Sequence, residues 1–386
     1  MKILHVIYSA DPTIGGPIEN VKQLGAVLTG NGHQVEVASL DGPDAPHWRN
    51  FPFPAYPLGP GVGKYGYSKR LLPWLRENVT RYNVVIVNGI WQYNSFAAWR
   101  ALRSSSTPYV AYPHGALDPW FKRAYPLKHV KKWMYWPWAE YRVLRDARAV
   151  LFTSRDEALL ARRSFWLHCW NGIVVGNGTA VPAHDSSAEK AVFLSQYPNL
   201  VGKRLALFIG RIHPKKGCDL LIKAFAAVLR DAPDWRLVIA GPDQVGWQAE
   251  LISLAQREGV ADRITWTGMI SGKIKNGALE NAEVLVLPSH QENFGAVLVE
   301  ALARGTPVLI SRSVNIWREI EESGAGISAN DDLEGTCYLL RAWLAMPQQD
   351  RELMGRRAQE CFRAYFDIRQ VAHNVLQAIA TSCGCS

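Results

Sequence analysis

Residues 284–310 read VLVLPSHQENFGAVLVEALARGTPVLI, and this stretch decides the fold. Four apolar residues, Val284–Leu287, predict a short buried strand, and Val308–Ile310 predicts a second one. The segment Ala296–Ala303 between them has the length and composition of a helix, which ends at Gly305. Strand, helix and strand in this order predict a βαβ unit, whose two strands run parallel.

The same alternation runs along most of the chain. It predicts two series of strands with helices such as Ile18–Thr29 and Leu220–Leu229 between them, and therefore an α/β protein with two doubly wound, Rossmann-like domains. A polar segment at 177–187 separates the two series, so we place the domains at 1–185 and 186–364. The remaining predicted strands are Ile3–Tyr8, Val35–Leu40, Val84–Asn88, Tyr109–Tyr112, Ala149–Phe152, Ile173–Val175, Leu205–Ile209, Arg236–Ala240 and Ile264–Thr267.

Composition excludes several classes of protein. Of 386 residues, 48% are hydrophobic and 20% charged, which excludes a disordered or fibrous chain. No apolar run approaches the roughly 20 residues of a membrane-spanning helix, and the N-terminus lacks a signal-peptide pattern. The six cysteines show no framework spacing, which favours reduced thiols in the cytoplasm. We interpret Cys383 and Cys385 as part of a frayed terminus rather than as metal ligands.

Charge and tryptophan are concentrated in the N-terminal half. Residues 1–190 carry 22 Lys and Arg against 13 Asp and Glu, whereas residues 191–386 carry 21 of each. Ten of the 15 tryptophans also precede residue 191. Only the first half therefore offers a basic, aromatic surface to an acidic partner.

Cations follow the first strand of the second domain. Arg211, Lys215 and Lys216 lie in the loop between that strand and the next helix. Arginine can bind a phosphate through two hydrogen bonds, and lysine adds a point charge. We favour a diphosphate site here over a merely solvated loop.

Two carboxylates follow strand Val284–Leu287. Glu292 and Glu300 are eight residues apart, a spacing of about 12 Å if both were helical. A retaining glycosidase needs carboxyl groups about 5–5.5 Å apart, so the spacing argues against that pair. It suits two carboxylates that bind separate hydroxyl groups of one extended ligand, while the amides of Phe294–Val297 cap a phosphate. The alternative is a helix-capping acid and an unrelated surface glutamate.

Two further positions follow strands of the first domain. Gly15 and Gly16 allow a backbone to approach an anion closely at the start of a helix, although an ordinary tight turn would use the same residues. His114 follows strand Tyr109–Tyr112, and its side chain points either into a cleft or into the core. Asp118 is a weaker candidate for a site residue than His114. Asp331-Asp332 is better explained as a helix cap than as a metal site. We therefore expect neither a metal ion nor a cofactor.

Together these segments resemble the nucleotide-sugar glycosyltransferases of family four, also called group 1, across most of the chain. The resemblance is carried by the Glu292–Val308 segment in particular. The other motifs that support the resemblance are Gly15-Gly16, Pro113-His114-Gly115, Asn177-Gly178, Gly210-Arg211 and Lys216-Gly217. It implies the GT-B fold, retention of anomeric configuration, and a C-terminal helix, at about 365–386, that joins the first domain.

The resemblance also implies a role for each site residue. Arg211 and Lys216 would hold the donor diphosphate, Glu292 the hydroxyl groups of the donor sugar, and Glu300 the ribose. Gly15, Gly16 and the segment Asn293, Phe294, Gly295, Ala296 and Val297 would complete the phosphate site, and Gly268 and Met269 would contact the nucleobase. His114 would contact the sugar at its 6-hydroxyl, which makes His114, Arg211, Lys216 and Glu292 the catalytic candidates.

Two departures from the family pattern bear on the site. Asn88 ends the strand Val84–Asn88 where many members have histidine, so contacts on the acceptor side can differ. Lys215 adds a cation whose role is open.

Residues 120–145 form a basic, aromatic segment. Lys122, Arg123, Lys128, Lys131 and Lys132 are interleaved with Trp120, Phe121, Tyr125, Trp133, Tyr135, Trp136, Trp138 and Tyr141. This composition suits the headgroup layer of an anionic membrane. The alternative is that the aromatics pack a helix on a sheet; nucleic-acid binding is disfavoured because no recognised module is present.

The resemblance therefore implies a retaining hexosyltransferase that uses GDP-mannose or a UDP-sugar, and we expect it to be metal-independent. Its acceptor would be a lipid-linked saccharide in bacterial surface-polysaccharide synthesis, at the inner face of the cytoplasmic membrane. Two alternatives stay open: a sugar-nucleotide epimerase of the same fold, and an inactive protein that binds a nucleotide-sugar at the membrane.

Overall fold

The computed structural model describes residues 1–180 and 186–381, and its internal contacts divide the chain into two units. Unit 1 comprises Met1–Ala180 and the segment from Ile368 onwards, and unit 2 comprises Val181–Asp367. The sequence-based boundaries lie nearby, at residues 185 and 365. Cys383 and Cys385 lie outside the described residues.

Unit 1 is built on a sheet of seven strands in the order β3-β2-β1-β4-β5-β6-β7, and all neighbours are parallel. The strands are β1 Lys2–Ile7, β2 Gln34–Ser39, β3 Ala55–Pro57, β4 Val84–Asn88, β5 Tyr109–Tyr112, β6 Ala149–Phe152 and β7 Gly172–Val174. The helices are α1 Gly16–Gly30, α2 Leu71–Asn78, α3 Tyr93–Leu102, α4 Trp120–Ala124, α5 Pro126–Tyr135, α6 Glu140–Arg145 and α7 Arg155–Ala161.

Both faces of this sheet are covered, because successive side chains of a strand point to opposite sides. Ile3 and Ile7 of β1 belong to the apolar cluster that includes α1, whereas Leu4 and Val6 belong to the cluster that includes α2 and α3. Double-sided burial explains why the strands are continuous apolar runs rather than alternating ones.

Unit 2 repeats the plan with six parallel strands in the order β10-β9-β8-β11-β12-β13 around one apolar cluster. The strands are β8 Arg204–Ile209, β9 Trp235–Ala240, β10 Ile264–Gly268, β11 Val284–Leu287, β12 Val308–Ser311 and β13 Gly326–Ala329. The helices are α8 Ser186–Gln196, α9 Cys218–Val228, α10 Gln248–Arg257, α11 Gly272–Asn281, α12 Ala296–Ala303, α13 Trp317–Glu322, α14 Leu333–Ala345 and α15 Gln348–Cys361.

The chain ends, within the described residues, with a helix of unit 1. This helix, α16, spans Ile368–Thr381 and packs against α1. Val371, Val375 and Ile379 recur every four residues on its buried side, which is the spacing of one helix face.

The predicted fold class is confirmed, with two Rossmann-like parallel sheets. Sequence reasoning missed two strands, β3 and β13, which lie at sheet edges. β3 has three half-buried residues and ends in Pro57, and β13 begins with Gly326, so neither shows the apolar run of a central strand.

Helices α8 and α11 approach each other closely at Gly277. A Cβ on Gly277 would lie 2.1 Å from the carbonyl oxygen of Glu189. We expect Gly277→Ala to destabilise unit 2 by about 2 kcal/mol, because α8 must move away. Urea unfolding measures this effect. The matched control is Gly30→Ala at the end of α1, where a Cβ meets no atom within 4 Å; equal losses in both variants would contradict the prediction.

A buried carboxyl at the start of α6 predicts a pH dependence of stability. Glu140 is fully buried and accepts a hydrogen bond from Ser95 Oγ at 3.1 Å. Burial raises the pKa of Glu140 to about 8, against the hydrogen bonds from Ser95 and the Trp91 amide and the charge of Lys132. The folded protein therefore holds an extra proton between about pH 4.5 and 8, and its stability falls as pH rises through that window.

We expect Glu140→Gln to reduce the decrease in the free energy of unfolding between about pH 4.5 and 8. For one proton this decrease is at most about 1.4 kcal/mol per pH unit. Urea unfolding of the wild type and the variant at pH 5, 6, 7 and 8 measures it. Exposed Glu77→Gln in α2 is the control and should follow the wild type. Parallel curves for Glu140→Gln and the wild type would show that Glu140 ionises normally.

Candidate functional site

The candidate site of unit 2 lies where the strand order reverses. β8 and β11 are neighbours in the sheet, but β8 continues through α9 to β9 on one side and β11 continues through α12 to β12 on the other. Loops that leave such a pair diverge, and open α/β sheets bind ligands in the crevice between them. Both predicted motifs, the cationic loop 210–217 and the loop 288–295, leave the carboxyl ends of these two strands.

A lysine and a glutamate from these loops are in direct contact. Lys216 Nζ donates a hydrogen bond to Glu292 Oε2, and the two side chains are 11% and 21% exposed. Burial raises the pKa of Glu292, but the charge and hydrogen bond of Lys216, with the charge of Lys215, hold it below its usual value. Glu292 is therefore a carboxylate at neutral pH, able to accept hydrogen bonds from hydroxyl groups.

Backbone contacts hold the two loops together. Lys216 ends a 3₁₀ turn, Pro214–Lys216, and Gly217 follows with φ +68°. A Cβ on Gly217 would lie 2.3 Å from the carbonyl oxygen of Pro288, so only glycine fits this approach. The His290 amide donates to the Lys215 carbonyl at 2.8 Å. The position of Lys216 is therefore set by main-chain geometry.

The backbone of Glu292 is fixed from the other side by the loop after β12. Its amide donates to the Ser313 carbonyl at 3.0 Å, and its carbonyl accepts from the Asn315 amide at 2.9 Å. Glu292 lies before the helix, which begins at Ala296, whereas Glu300 lies within it. The separation of about 12 Å, which assumes that both residues are helical, therefore does not apply to Glu292 and Glu300.

The residues that follow Glu292 form the N-terminus of α12. Asn293 Oδ1 accepts from Asn315 Nδ2 at 3.2 Å, and Phe294 is buried. Gly295 caps the helix with φ +72°, and Ala296 behind it is exposed. Amides at the start of a helix carry partial positive charge and suit an anion.

Other predicted donor residues make contacts outside the Lys216–Glu292 pair. Arg211 is exposed and donates to Gln244 Oε1 at 3.1 Å, and Glu300 forms an ion pair with Lys275 at 2.8 Å. Gly268 ends β10 with φ +66°, and Met269 beside it is 77% exposed.

Sequence reasoning missed Gln244 and Lys275. Both follow the carboxyl ends of strands, β9 and β10, so the rule that identified Lys216 would also have drawn attention to them.

In unit 1, Gly15 and Gly16 start α1 after the β1 loop. Gly15 has φ +145° and precedes the helix, and a Cβ on Gly16 would meet no atom within 4 Å. Asp41 fixes the beginning of this loop, because it accepts hydrogen bonds from Ser9 Oγ at 2.5 Å and the Ala10 amide at 2.7 Å.

His114 also lies in unit 1, in a strained backbone conformation with φ +52°. Its ring stacks on Tyr112 with centroids 4.2 Å apart, and its Nε2 lies 3.2 Å from Asn88 Oδ1. Burial, with a smaller effect of His5, lowers the pKa of His114 to about 3, so the imidazole is neutral at pH 7. Asp118 Oδ1 instead accepts from the Trp120 amide at 2.8 Å, a local turn contact.

The basic, aromatic segment contains helix α5, which contacts the rest of unit 1 through His129, Lys132 and Tyr135 and is exposed elsewhere. None of the ten residues of α5 is buried. Leu127, Val130 and Met134 share one helix face and are exposed, with Leu127 at 82%. Lys128 and Lys131 on the same helix are exposed as well.

The aromatic residues of this segment do not all face outward. Trp136 is fully buried and stacks on Phe165 at 4.2 Å, so the packing alternative holds for this residue. Tyr125, Trp133 and Trp138 are exposed. Across residues 1–180 and 186–381, no helix combines the length and apolar character needed to cross a membrane.

Two family models match the chain, one in each unit. Residues 15–178 match the model described as glycosyl transferase 4-like domain, and residues 193–360 match the model described as glycosyl transferases group 1. Together they account for most of the chain.

Individual relatives and a solved structure agree with these matches. The GDP-mannose:cellobiosyl-diphosphopolyprenol alpha-mannosyltransferase of Xanthomonas campestris is 25% identical over 96% of this chain and 94% of that enzyme. The D-inositol 3-phosphate glycosyltransferase of Segniliparus rotundus is 37% identical, but over only 32% of this chain and 28% of the relative. The structure of Anabaena HepE in complex with UDP is similar in fold, with a TM-score of 0.77, 16% identity and coverage of 99% of this chain and 100% of HepE. The chain has the GT-B fold, belongs to the group 1 glycosyltransferases of family four, and is a glycosyltransferase.

Proposed function

We propose that this glycosyltransferase is a retaining, metal-independent hexosyltransferase that uses a nucleotide-sugar and a lipid-linked saccharide. The observation that carries the proposal is the contact between Lys216 and Glu292 at the strand-order reversal of unit 2. One cation and one carboxylate in a crevice suit a ligand that presents a phosphate next to a sugar.

Lys216 would stabilise the diphosphate of the donor. Its ammonium group can contact a phosphate oxygen while Glu292 holds it in place, and Arg211 adds a second, exposed cation on the same loop. The amides at the start of α12 would bind the phosphate from the other loop. These charges matter most as the leaving group becomes more negative, which lowers the barrier to bond breaking.

Carboxylates would orient the two ends of the donor. Glu292, kept ionised by Lys216, would accept hydrogen bonds from hydroxyl groups of the sugar. Glu300 would bind the ribose hydroxyls, with Lys275 holding its carboxylate. Gly268 and Met269 would contact the base.

The reaction follows from these roles without a dedicated protein base. The acceptor hydroxyl attacks the anomeric carbon on the side of the leaving group, and the bond between that carbon and the phosphate oxygen breaks. The departing phosphate takes the hydroxyl proton, so a nucleoside diphosphate and a glycoside of unchanged configuration are formed.

We favour GDP-mannose as donor and a lipid-linked saccharide of bacterial surface-polysaccharide synthesis as acceptor. The support is the Xanthomonas relative, whose name gives GDP-mannose and a diphosphopolyprenol-linked saccharide and which matches almost the whole chain. UDP-sugars remain the second donor class, since the similar HepE structure contains UDP.

We place α5 on the cytoplasmic face of an anionic membrane. Leu127, Val130 and Met134 would enter the headgroup layer, and Lys128 and Lys131 would contact anionic phospholipids. The opposite signs of this helix and the lipid surface, together with its exposed apolar side chains, favour this partner. The same surface would bring the enzyme to a lipid-carried acceptor.

The donor site can be tested with two substitutions. We expect Lys216→Ala and Glu292→Ala each to lower kcat/KM for transfer at least about 100-fold, because each removes a contact to the donor. A thermal-shift screen of GDP-, UDP- and ADP-sugars first selects the donor, and a membrane extract supplies the acceptor. Lys203→Ala and Glu258→Ala, both exposed in unit 2, are the controls.

Near-full transfer by both site variants would refute the donor-site assignment. Interconversion of sugar nucleotides without an acceptor would instead indicate an epimerase. Donor binding without transfer or hydrolysis would indicate an inactive binding protein.

Membrane docking can be tested by vesicle flotation. We expect the protein to float with phosphatidylglycerol-containing vesicles at low salt and to detach at high salt, because screening weakens charge contacts. Lys128→Glu/Lys131→Glu should abolish flotation, whereas Lys203→Glu/Arg230→Glu, the same charge change in unit 2, should not. Flotation of the α5 variant at the wild-type level would refute docking through this helix.

A further inference from the structure

Unit 2 has a cavity at the edge of its sheet opposite the two candidate-site loops. Its volume is about 760 Å³, which is enough for a small organic ligand. Arg204, which lines it, is the first residue of β8, and Glu283 and Pro307 directly precede β11 and β12. The candidate-site loops leave the carboxyl ends of β8 and β11 instead. The six residues of β8 separate the two edges by about 20 Å.

This cavity carries more positive than negative charge. Its basic side chains are Lys190, Arg204, Arg304, Arg351 and Arg356. Its acidic side chains are Glu280, Glu283 and Glu352. Five formal positive charges therefore face three negative ones, whereas residues 191–386 as a whole carry equal numbers of basic and acidic residues.

Glu283 is bound by two of these arginines and cannot neutralise both. Arg204 Nε and Nη2 donate hydrogen bonds to its two carboxylate oxygens at 2.7 and 2.6 Å, and Arg351 Nη1 donates at 2.8 Å. One carboxylate between two guanidinium groups leaves one positive charge uncompensated. Because a guanidinium has five N–H donors, Arg204 retains three beyond the two that bind Glu283.

Both arginines are held in place by tryptophan rings. The guanidinium of Arg204 lies 4.5 Å from the centre of the Trp235 ring, and that of Arg351 lies 5.3 Å from the centre of the Trp343 ring. Trp343 Nε1 also donates to Glu283 at 3.1 Å. Cations that are already positioned lose little side-chain entropy when an anion binds.

Lys190 and Arg356 supply positive charge that no carboxylate neutralises. Lys190 lies on α8 and is half-buried, and Arg356 lies on α15 and is exposed. In the part of the chain that the structure describes, neither side chain forms an ion pair. Arg304 differs from them, because it lies 3.8 Å from Glu280 and its side chain is almost completely buried.

We propose that this cavity binds the phosphate monoester of a small molecule, at a site separate from the proposed donor site. A phosphate monoester carries a charge of about −1.5 to −2 at neutral pH, which matches the excess of positive charge. Guanidinium groups bind phosphate oxygens through paired hydrogen bonds, and Lys190 adds a point charge. The volume of the cavity leaves room for the organic part of the ligand. This inference goes beyond the proposed function and does not depend on glycosyl transfer.

Binding can be measured without an acceptor. Phosphorus-31 NMR titration at constant ionic strength should show that glucose 6-phosphate binds and that inorganic phosphate competes with it. Lys190→Gln/Arg356→Gln should raise the Kd of glucose 6-phosphate at least about tenfold, because charge-assisted hydrogen bonds are lost. Thermal unfolding without phosphate should be unchanged in this variant, since neither residue forms an ion pair with another described residue.

Two further variants serve as controls. Lys203→Gln/Arg230→Gln removes the same charge from exposed positions that do not line the cavity, and it should bind glucose 6-phosphate like the wild type. Lys216→Ala should also keep the wild-type Kd, because Lys216 lies at the opposite edge of the sheet.

Three results would overturn the inference. The first is that neither glucose 6-phosphate nor inorganic phosphate binds at millimolar concentrations. The second is equal weakening in the two double variants, which would indicate a general effect of net charge. The third is loss of binding in Lys216→Ala but not in Lys190→Gln/Arg356→Gln, which would place the phosphate at the donor site. Absence of glycosyl transfer would refute the proposed function and leave this binding result standing.

Discussion

The hydrogen-bonded pairing of two central parallel strands, β1 with β4 and β8 with β11, is the constraint on which the rest of each unit depends. Parallel strands need long crossover connections, and in both units these connections lead from this pair towards opposite edges of the sheet. The loops that follow the carboxyl ends of the two central strands consequently diverge, although they begin next to each other. Lys216 and Glu292, 76 residues apart in sequence, come into contact for this reason.

Charge is distributed in keeping with this plan. In unit 2 Lys216 is paired with the carboxylate of Glu292 at the crevice. In unit 1 the excess of basic residues includes the exposed lysines of α5, next to the exposed apolar side chains of the same helix. The two units thus differ in how they use lysine: as a paired group in a crevice and as an exposed group on a surface.

The central strands, the helices between them and the loops that follow β8 and β11 could be predicted from the sequence, because buried parallel strands produce unmistakable apolar runs. Edge strands could not, since β3 and β13 lack that signal. The Lys216–Glu292 contact also could not, because it depends on the order of strands in the sheet. The same holds for the hydrogen bond between Asn88 and His114. The sequence identified each residue, but not that their side chains are in contact.

Exposure within one helical segment was equally beyond the sequence. Trp133 and Trp136 are three residues apart in the same basic, aromatic stretch, yet one is exposed and the other fully buried. Periodicity alone did not separate them, because the segment turns between α5 and α6 and its apolar residues are not confined to one stripe. Composition predicted that a surface of this kind exists, whereas the structure shows which side chains form it.

The return of α16 to unit 1 has a consequence for how the protein is made. Unit 1 is encoded by two segments separated by the whole of unit 2, and its α1 face is completed only by residues 368–381. On the ribosome, the N-terminal part of unit 1 emerges first but must wait for α16, whereas unit 2 is synthesised as one continuous stretch and can fold earlier. The order of synthesis and the order of completion are therefore reversed, and the part of α1 that packs against α16 stays uncovered until residues 368–381 have been synthesised.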